Sequence, residues 1–310
     1  MVLYIIGLGL GDEKDITVRG LEAIQSSSKV FLECYTSILS VDKEKLEVFY
    51  KKPITIADRD FVECQAEDIY LPAKDDNVSL LIVGDPVCAT THTDIMIRAQ
   101  ELDIPVELIH NASVMGAAGC CGLQLYNFGQ TISIPFFTEG WRPTSFYSKI
   151  AYNRAGNMHT LCLLDIKVKE PDFDAMARGK IVYLPPRYMT VNCASEQLIE
   201  AEETEGGSAY NSSETLCVGM ARLGQRDQCI IAGTLEELKD QDFGGPLHCM
   251  IICGELHDLE LQFLQRFLVP RSTFKANDNE AKQKEEEENA NDNLEENGLE
   301  ANEKNVNEHD

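Results

Sequence analysis

The sequence has few basic residues for its length. Among its 310 residues, 27 Lys and Arg residues stand against 52 Asp and Glu residues, which gives a formal net charge of -25 at pH 7. Nucleic acids and anionic membrane surfaces attract proteins that carry excess positive charge, so nonspecific binding to either is disfavoured. We therefore predict no nucleic-acid partner and no membrane partner, whereas a basic protein partner remains compatible with this charge.

Long apolar runs are also missing. No stretch approaches the roughly 18 apolar residues that predict a membrane-spanning helix. The sequence begins with a strand-like run, and no basic segment precedes a cleavable apolar region as it does in a signal peptide. These absences predict a cytoplasmic protein.

Paired cysteine knuckles are absent although the sequence has eleven cysteines. Cys120 and Cys121 are adjacent, and three residues separate Cys249 from Cys253, but no Cys-x2-Cys pair with a matching partner occurs. Most of the cysteines lie in apolar segments such as TLCLLDI, which is typical of reduced, buried cysteine. We expect core packing from them, and no metal site.

A strand, a glycine-rich turn and a helix are predicted for residues 2–24, VLYIIGLGLGDEKDITVRGLEAI. Three glycines alternate from Gly7 onward and allow the backbone to approach a ligand closely, and Thr17 is the predicted N-cap of the helix. The dinucleotide-binding pattern G-x-G-x-x-G fits poorly because Asp12 occupies the third glycine position, among acids that would repel a pyrophosphate. Three interpretations remain open: a turn for a neutral or cationic ligand, a tight structural turn, and the dinucleotide site that fits poorly.

The same pattern returns twice in the first half of the chain. Apolar strands are predicted at 80–83 and 105–110, and they end at Gly84-Asp85-Pro86 and at His110-Asn-Ala-Ser. Strands that alternate with helices predict a mostly parallel sheet, and ligands of such sheets bind beyond the carboxyl ends of the strands. The three turns are therefore expected to lie around one site.

The second half of the chain differs in texture. The segments HTLCLLDI, TLCVGMARLG, QCIIAGTLEEL and LHCMIICGEL predict strands, some of them in antiparallel pairs. Three regions follow from this change: an N-terminal α/β domain at 1–115, a mixed α/β domain at 116–270, and an acidic tail at 271–310. A small-residue helix is expected at 114–125. The tail has too few large apolar side chains to offset its ordering entropy, so we expect it to be disordered.

Several motifs together are specific to one family. GLGLGDEKDITVRGLEAI, VGDPVCATTHTD, IHNASVMGAAGCCGLQLYNFG, HTLCLLDIKVKE, PPRYM, ETLCVGMARLG and GGPLHCMII resemble the diphthine synthases, the methyltransferases of the diphthamide pathway and relatives of the tetrapyrrole methylases. The resemblance covers residues 3 to about 268 and leaves out the tail. It implies two unequal α/β domains of the tetrapyrrole-methylase type, S-adenosylmethionine bound in the inter-domain cleft, and a homodimer.

The resemblance also implies a substrate. It is the histidine of translation elongation factor 2 that already carries a 3-amino-3-carboxypropyl group. In the eukaryotic branch, which the acidic extension favours, three N-methylations and one carboxylate methylation give diphthine methyl ester. In the archaeal branch, three methylations end at diphthine.

Carried over to this sequence, the family's cofactor contacts fall in the three turns and in the second domain. They are Leu10, Asp85, Cys88, Ser113, Val114, Leu164, Met220, Ala221 and His248. Many family members have a glycine at the position of Cys88, and a backbone contact would survive that difference. A structural, hydrogen-bonded role is the alternative for His248.

The nucleophilic amine must be deprotonated, and a positioned carboxylate or imidazole could accept its proton. Asp165, at the end of its predicted strand, and Asp85 are the candidates, with His110 behind them. A turn or helix cap is the alternative for Asp165, an Asx-turn is the alternative for Asp85, and solvent could also take the proton. The substrate's own carboxylate could pair with one of three cations, Arg187, Arg222 or Lys167.

Three alternatives to this function remain open at the level of sequence. The chain could stop at trimethylated diphthine, it could methylate another substrate such as a tetrapyrrole, or it could be a noncatalytic adapter. The HNAS and HTLCLLDIK segments argue against a tetrapyrrole substrate, and the three intact turns argue against an adapter.

Overall fold

Two five-stranded sheets carry the fold. A computed structural model describes residues 1–172, 176–180, 182–207 and 209–270, and the predicted tail at 271–310 lies outside them. The first sheet has the strand order β3-β2-β4-β1-β5, and all of its pairs are parallel. Its strands are β1 (Leu3–Gly7), β2 (Lys29–Glu33), β3 (Thr55–Ala57), β4 (Val78–Ile82) and β5 (Val106–Ile109).

Helices lie between these strands and after β5. They are α1 (Val18–Ser26), α2 (Lys43–Tyr50), α3 (Arg59–Cys64), α4 (Glu67–Tyr70), α5 (Thr93–Glu101) and α6 (Val114–Ala117). Helix α1 begins after its predicted N-cap, Thr17. The Thr17 side chain accepts a hydrogen bond from the backbone of Gly20, and the Asp58 side chain accepts one from that of Phe61. Each satisfies an N–H that has no partner within its own helix.

The helices cover both faces of the parallel sheet. One apolar cluster contains Leu3, Ile5, Leu80 and Ile82, and a second cluster on other elements contains Ile6, Leu81 and Tyr50. The strands bury both faces, which explains why their sequences are continuous apolar runs without polar alternation.

The second sheet is mostly antiparallel and has the order β11-β10-β12-β7-β6. Only the pair β6–β7 is parallel among the described strands of this sheet. Its strands are β6 (Ile132–Ile134), β7 (Thr160–Leu164), β10 (Cys217–Ala221), β11 (Cys229–Gly233) and β12 (His248–Ile252). The expected antiparallel pairing of the two neighbouring segments at β10 and β11 is confirmed.

Four described helices and a short ribbon belong to the second half. The helices are α7 (Tyr147–Ala155), α8 (Val191–Glu205), α9 (Leu235–Leu238) and α10 (Asp258–Leu264), of which α9 is the shortest, and the ribbon pairs β8 (Ile166–Lys167) with β9 (Arg187–Tyr188). Lys169, just after β8, forms an ion pair with Asp58 in front of α3. Both sheets belong to one compact unit, Met1–Ser272.

The helix expected at 114–125 is wrong in length. It consists of α6 and a 3-10 turn, Ala118–Cys121, and it ends at Gly122, whose φ is 97°. A side chain on Gly122 would lie 2.3 Å from the ring of Phe263, so distant packing fixes this break. None of the described helices is long and apolar enough to cross a membrane.

Candidate functional site

Hydrogen bonds join the three predicted turns at the carboxyl ends of β1, β4 and β5. Gly9 and Gly84 exchange two backbone hydrogen bonds, of 3.2 and 2.8 Å. The Asn111 amide donates to the backbone oxygens of Gly7 and Asp15, at 2.9 Å each. Gly9 and Gly84 have φ values of 77° and 81°, which favour glycine at both positions.

The acids of the glycine-rich turn hold the turn itself. Asp15 accepts the backbone N–H of Gly11 at 2.7 Å, Asp12 accepts that of Lys14 at 2.9 Å, and Glu13 pairs with Lys45 at 2.8 Å. They do not line the cavity described below, whose acidic residues are Glu63, Asp85 and Asp165. The acids that the sequence showed beside the glycines therefore stabilise the turn, and other acids supply the negative charge of the cavity.

A cavity of about 560 Å³ opens beside the joined turns. The first half contributes the turns after β1, β4 and β5, and the second half contributes the ends of β6 and β7 and residues at β12. Pockets for small ligands typically measure roughly 300–1,000 Å³, and they combine apolar walls with a few convergent polar groups. The cavity meets both criteria.

Most of the predicted cofactor residues meet at this cavity. They are Leu10, Asp85, Cys88, Ser113, Val114, Leu164 and His248, and the predicted proton acceptor Asp165 joins them. Their contact with a cofactor stays a prediction.

Met220 and Ala221 do not line the cavity. Both are completely buried in β10, which lies between β11 and β12. The next two residues, Arg222 and Leu223, line it instead, because the chain reaches the cavity only after the strand has ended. A cofactor contact of Met220 or Ala221 stays a prediction.

Asp85 is held by three donors. Its carboxylate accepts the Val87 N–H at 3.0 Å, which is the predicted Asx-turn, and the Asn111 N–H at 3.1 Å, and it lies 2.9 Å from His110 Nδ1. Burial alone would raise the pKa of Asp85, but these hydrogen bonds together bring it below its usual value. A carboxylate held in this way joins two turns and is a weak proton acceptor.

Asp165 is better placed to accept a proton. It directly follows β7, and its Oδ2 accepts the Phe136 N–H at 3.0 Å and lies 3.4 Å from Lys167 Nζ. Within the described part of the chain, its Oδ1 has no hydrogen-bond partner. One oxygen therefore anchors the side chain while the other remains available.

His248 is fixed as a neutral imidazole. Its Nδ1 accepts the Val191 N–H at 3.2 Å, and its Nε2 lies 2.9 Å from the Gly245 carbonyl oxygen, to which it must donate. Burial lowers the pKa of His248 below the ordinary value. The structural role that the sequence left open for His248 is therefore present, together with its place in the cavity wall.

Sequence reasoning missed one wall of the cavity. Tyr35, Thr36, Arg59, Glu63 and Thr91 line it. The rule that located the other turns could have found it, because Tyr35 and Thr36 follow β2 and Arg59 follows β3. Among the described residues, no group of three His, Cys, Asp or Glu side chains could hold a metal ion.

Comparisons with known proteins agree with this architecture. The family model of the tetrapyrrole (corrin/porphyrin) methylases matches residues 2–239. The diphthine methyl ester synthase of Dictyostelium discoideum is 57% identical over 274 residues, which are 88% of this chain and 100% of that protein.

Solved structures give the same result. One from Entamoeba histolytica, described as a diphthine synthase, is 51% identical with a TM-score of 0.77, and the match covers 86% of this chain and 98% of that one. A second diphthine synthase is 32% identical with a TM-score of 0.74, covering 86% and 96%. The predicted fold class and the predicted methyltransferase activity are thereby confirmed. The chain belongs to the tetrapyrrole methylase family, and this methyltransferase is similar in sequence and fold to diphthine synthases.

Proposed function

We propose that this chain makes diphthine methyl ester. It would transfer three methyl groups to the amino nitrogen and one to the carboxylate of the aminocarboxypropyl-histidine of translation elongation factor 2. The observation that carries the proposal is the single cavity where the three turns meet β7 and β12, in a chain 57% identical to a diphthine methyl ester synthase. The homodimer and the cytoplasmic location belong to the same proposal.

The cavity fits S-adenosylmethionine by its chemistry. This cofactor, when bound, supplies a methyl group on a positively charged sulfur, next to an ammonium and a carboxylate. On the side of the three turns and β7, the cavity offers two acids, Asp85 and Asp165, to the positive groups. A methyl group on Gly84 would meet no described atom closer than 3.8 Å, so the space beside this glycine is open to a ligand.

The chain's own contribution is alignment and proton removal. Leu10, Val114 and Leu164 give the cavity apolar walls that hold a substrate in place and exclude water. Each N-methylation moves the positive charge from sulfur to nitrogen, and the amine releases a proton before each attack, whereas the trimethylated product keeps its charge. Because the sulfur becomes neutral, an apolar wall beside it does not oppose the reaction. Asp165, with its available oxygen, would accept that proton.

Mass spectrometry tests the proposal. Elongation factor 2 that carries the aminocarboxypropyl group but no methyl group is incubated with this chain and S-adenosylmethionine. We expect a gain of four methyl groups, one of them labile to mild base. A stable gain of three would mean that the reaction ends at diphthine. No gain, with cofactor binding intact, would mean that the substrate is wrong.

A further inference from the structure

The wall formed by Tyr35 and Arg59 has no part in the proposed cofactor contacts. It lies between the end of β2 and the start of α3, on the opposite side of the first sheet's centre from β5. It nevertheless lines the same cavity as Leu164 and His248. A second ligand in the cavity, such as the substrate side chain, would meet this wall.

The cavity wall contains two positive side chains, Arg59 and Arg222. Arg222 is committed to the protein: its guanidinium donates to the carbonyl oxygens of Phe243 and Gly245, at 2.7 and 2.6 Å, and to the Asp227 carboxylate at 2.7 Å. A group that already makes these bonds has little left to offer a substrate carboxylate.

The other predicted carboxylate partners are committed as well. Arg187 donates twice to Glu170, at 2.9 and 2.7 Å. Lys167 Nζ lies 3.4 Å from Asp165. Neither of these cations lines the cavity.

Arg59, in contrast, is oriented by its neighbours but keeps hydrogen-bonding groups for a ligand. Its guanidinium carbon lies 5.3 Å from the centre of the Tyr35 ring, a cation–π contact that orients the group. Its Nε lies 3.6 Å from Glu63, which is beyond hydrogen-bond distance. No hydrogen bond to its guanidinium occurs within the described residues, and its side chain is 64% exposed. Its terminal N–H groups are therefore available.

Hydrogen bonds fix the chain segment that carries the Tyr35 ring, the platform on which the Arg59 guanidinium lies. The Glu33 carboxylate accepts the N–H groups of Tyr35 and Thr36 at 2.6 Å each, and the Thr36 hydroxyl at 2.5 Å. Burial raises the pKa of Tyr35 to about 12, so the phenol keeps its proton. These bonds fix the ring on which the guanidinium rests.

Buried polar atoms beside this platform point to a ligand. Tyr35 is 6% exposed and His92 is 2% exposed. Tyr35 Oη and both ring nitrogens of His92 have no hydrogen-bond partner among the described residues. Buried polar groups are nearly always paired. Tyr35 lines the cavity, whereas His92 lies behind it, with ring centres 6.2 Å apart, and does not line the cavity.

We propose that Arg59, oriented by Tyr35, binds the carboxylate of the substrate side chain. The proposal rests on the proposed function, in which that side chain carries an amino group and a carboxylate. A planar guanidinium with free terminal N–H groups can form two parallel hydrogen bonds with a carboxylate. During the three N-methylations, the pairing would hold the carboxylate against the wall and leave the amine free to reach the methyl group. The carboxylate would leave Arg59 before it is methylated itself.

Steady-state kinetics of Arg59→Gln tests the proposal. The substrate is aminocarboxypropylated elongation factor 2, transfer is followed with labelled methyl groups, and calorimetry gives the affinity for S-adenosylhomocysteine. We expect the KM for the protein substrate to rise roughly ten- to a hundredfold, as for the loss of a hydrogen bond to a charged group. Cofactor affinity should not change. Arg59→Lys keeps the positive charge but loses the planar guanidinium. Its KM should lie between those of the wild type and Arg59→Gln.

Two control variants separate this role from general charge effects. Arg98→Gln removes an exposed arginine of α5 that pairs with Asp94 at 2.8 Å, away from the cavity, and it should leave the KM unchanged. Asp60→Asn removes a charge from an exposed residue of α3 that does not line the cavity, and it should not raise the KM. If it raises the KM as much as Arg59→Gln does, the effect comes from α3 and the proposal is wrong.

The remaining outcomes also decide. An unchanged KM in Arg59→Gln, with a wild-type chain that methylates the factor, overturns the carboxylate site and leaves the proposed function intact. Loss of cofactor affinity in Arg59→Gln would assign Arg59 to the cofactor and also overturn the proposal. A wild-type chain that transfers no methyl group removes the proposed function, and the proposed site falls with it.

Discussion

At the scale of single residues, similar acids in one cavity have different roles. Asp85 receives three donors and serves to join two turns, whereas Asp165 is anchored by one oxygen. The sequence identified both as candidates because both follow a strand. It could not separate them, because two of the three donors that fix Asp85, on His110 and Asn111, come from a turn about 25 residues away.

Asp165→Asn tests the role of the available oxygen. The amide can still accept the Phe136 N–H, so we expect the thermal midpoint to stay nearly constant. It cannot take up a proton, and kcat should fall roughly a hundredfold, the usual contribution of a positioned base. A steady-state methyl-transfer assay measures kcat. Calorimetry with S-adenosylhomocysteine should give an unchanged affinity. A wild-type kcat would instead show that solvent takes the proton and that Asp165 is a cap.

At the scale of elements, continuous apolar runs predicted the strands well, because buried strands need them on both faces. The end of each parallel strand then located the turns of the site without further information. Two features escaped this reasoning. The helix break at Gly122 depends on Phe263, far along the chain. The point at which the chain reaches the cavity, at Arg222, depends on where β10 ends.

The contact between the first two turns gives a test at this scale. A methyl group on Gly7 would lie 2.5 Å from the Gly84 carbonyl oxygen and 2.9 Å from Asn111 Cβ. Gly7→Ala should therefore push the turns apart and lower the free energy of unfolding by about 1–3 kcal/mol, the usual effect of overpacking. Cofactor affinity should fall with it, because the displaced turns carry Leu10 and Asp85.

Gly140→Ala is the matched control for Gly7→Ala. A methyl group there would meet no atom of the described residues within 4 Å, so neither stability nor affinity should change. Urea unfolding measures the first quantity and calorimetry the second. Equal effects of the two substitutions would contradict the close contact between the turns.

At the scale of the whole molecule, the cavity needs both sheets. The parallel sheet brings the turns, and the mixed sheet brings β7, Arg222 and His248. The domain boundary at residue 115 stays a prediction; the last strand of the first sheet ends at Ile109, and the second sheet begins at Ile132. Histidines in both halves of the molecule are buried, which links the stability of the whole to pH.

Acid should destabilise the chain before its carboxylates titrate. Burial lowers the pKa of His92 to about 4 and also lowers the pKa values of His159 and His248. Their native pKa values lie below the unfolded value of about 6.5, so the unfolded state binds more protons. The stabilisation is complete above about pH 6.5 and is lost as the pH falls. The titration of His92 alone should lower the free energy of unfolding by about 1 kcal/mol when the pH falls from 7.5 to 5.5.

Urea unfolding at the two pH values measures this loss of stability. His92→Phe should remove the part of the loss that comes from His92. Stability that does not change between pH 7.5 and 5.5 would mean that these side chains titrate normally in the native state.

The most direct test of the site is a crystal structure of this chain with S-adenosylhomocysteine. We expect the ligand in the cavity between the three turns and β7, in contact with Leu10, Val114 and Leu164, with the wall at Tyr35 and Arg59 left open for the substrate. A ligand bound elsewhere would contradict the site, and a ligand that fills the wall at Arg59 would contradict the division of the cavity between cofactor and substrate.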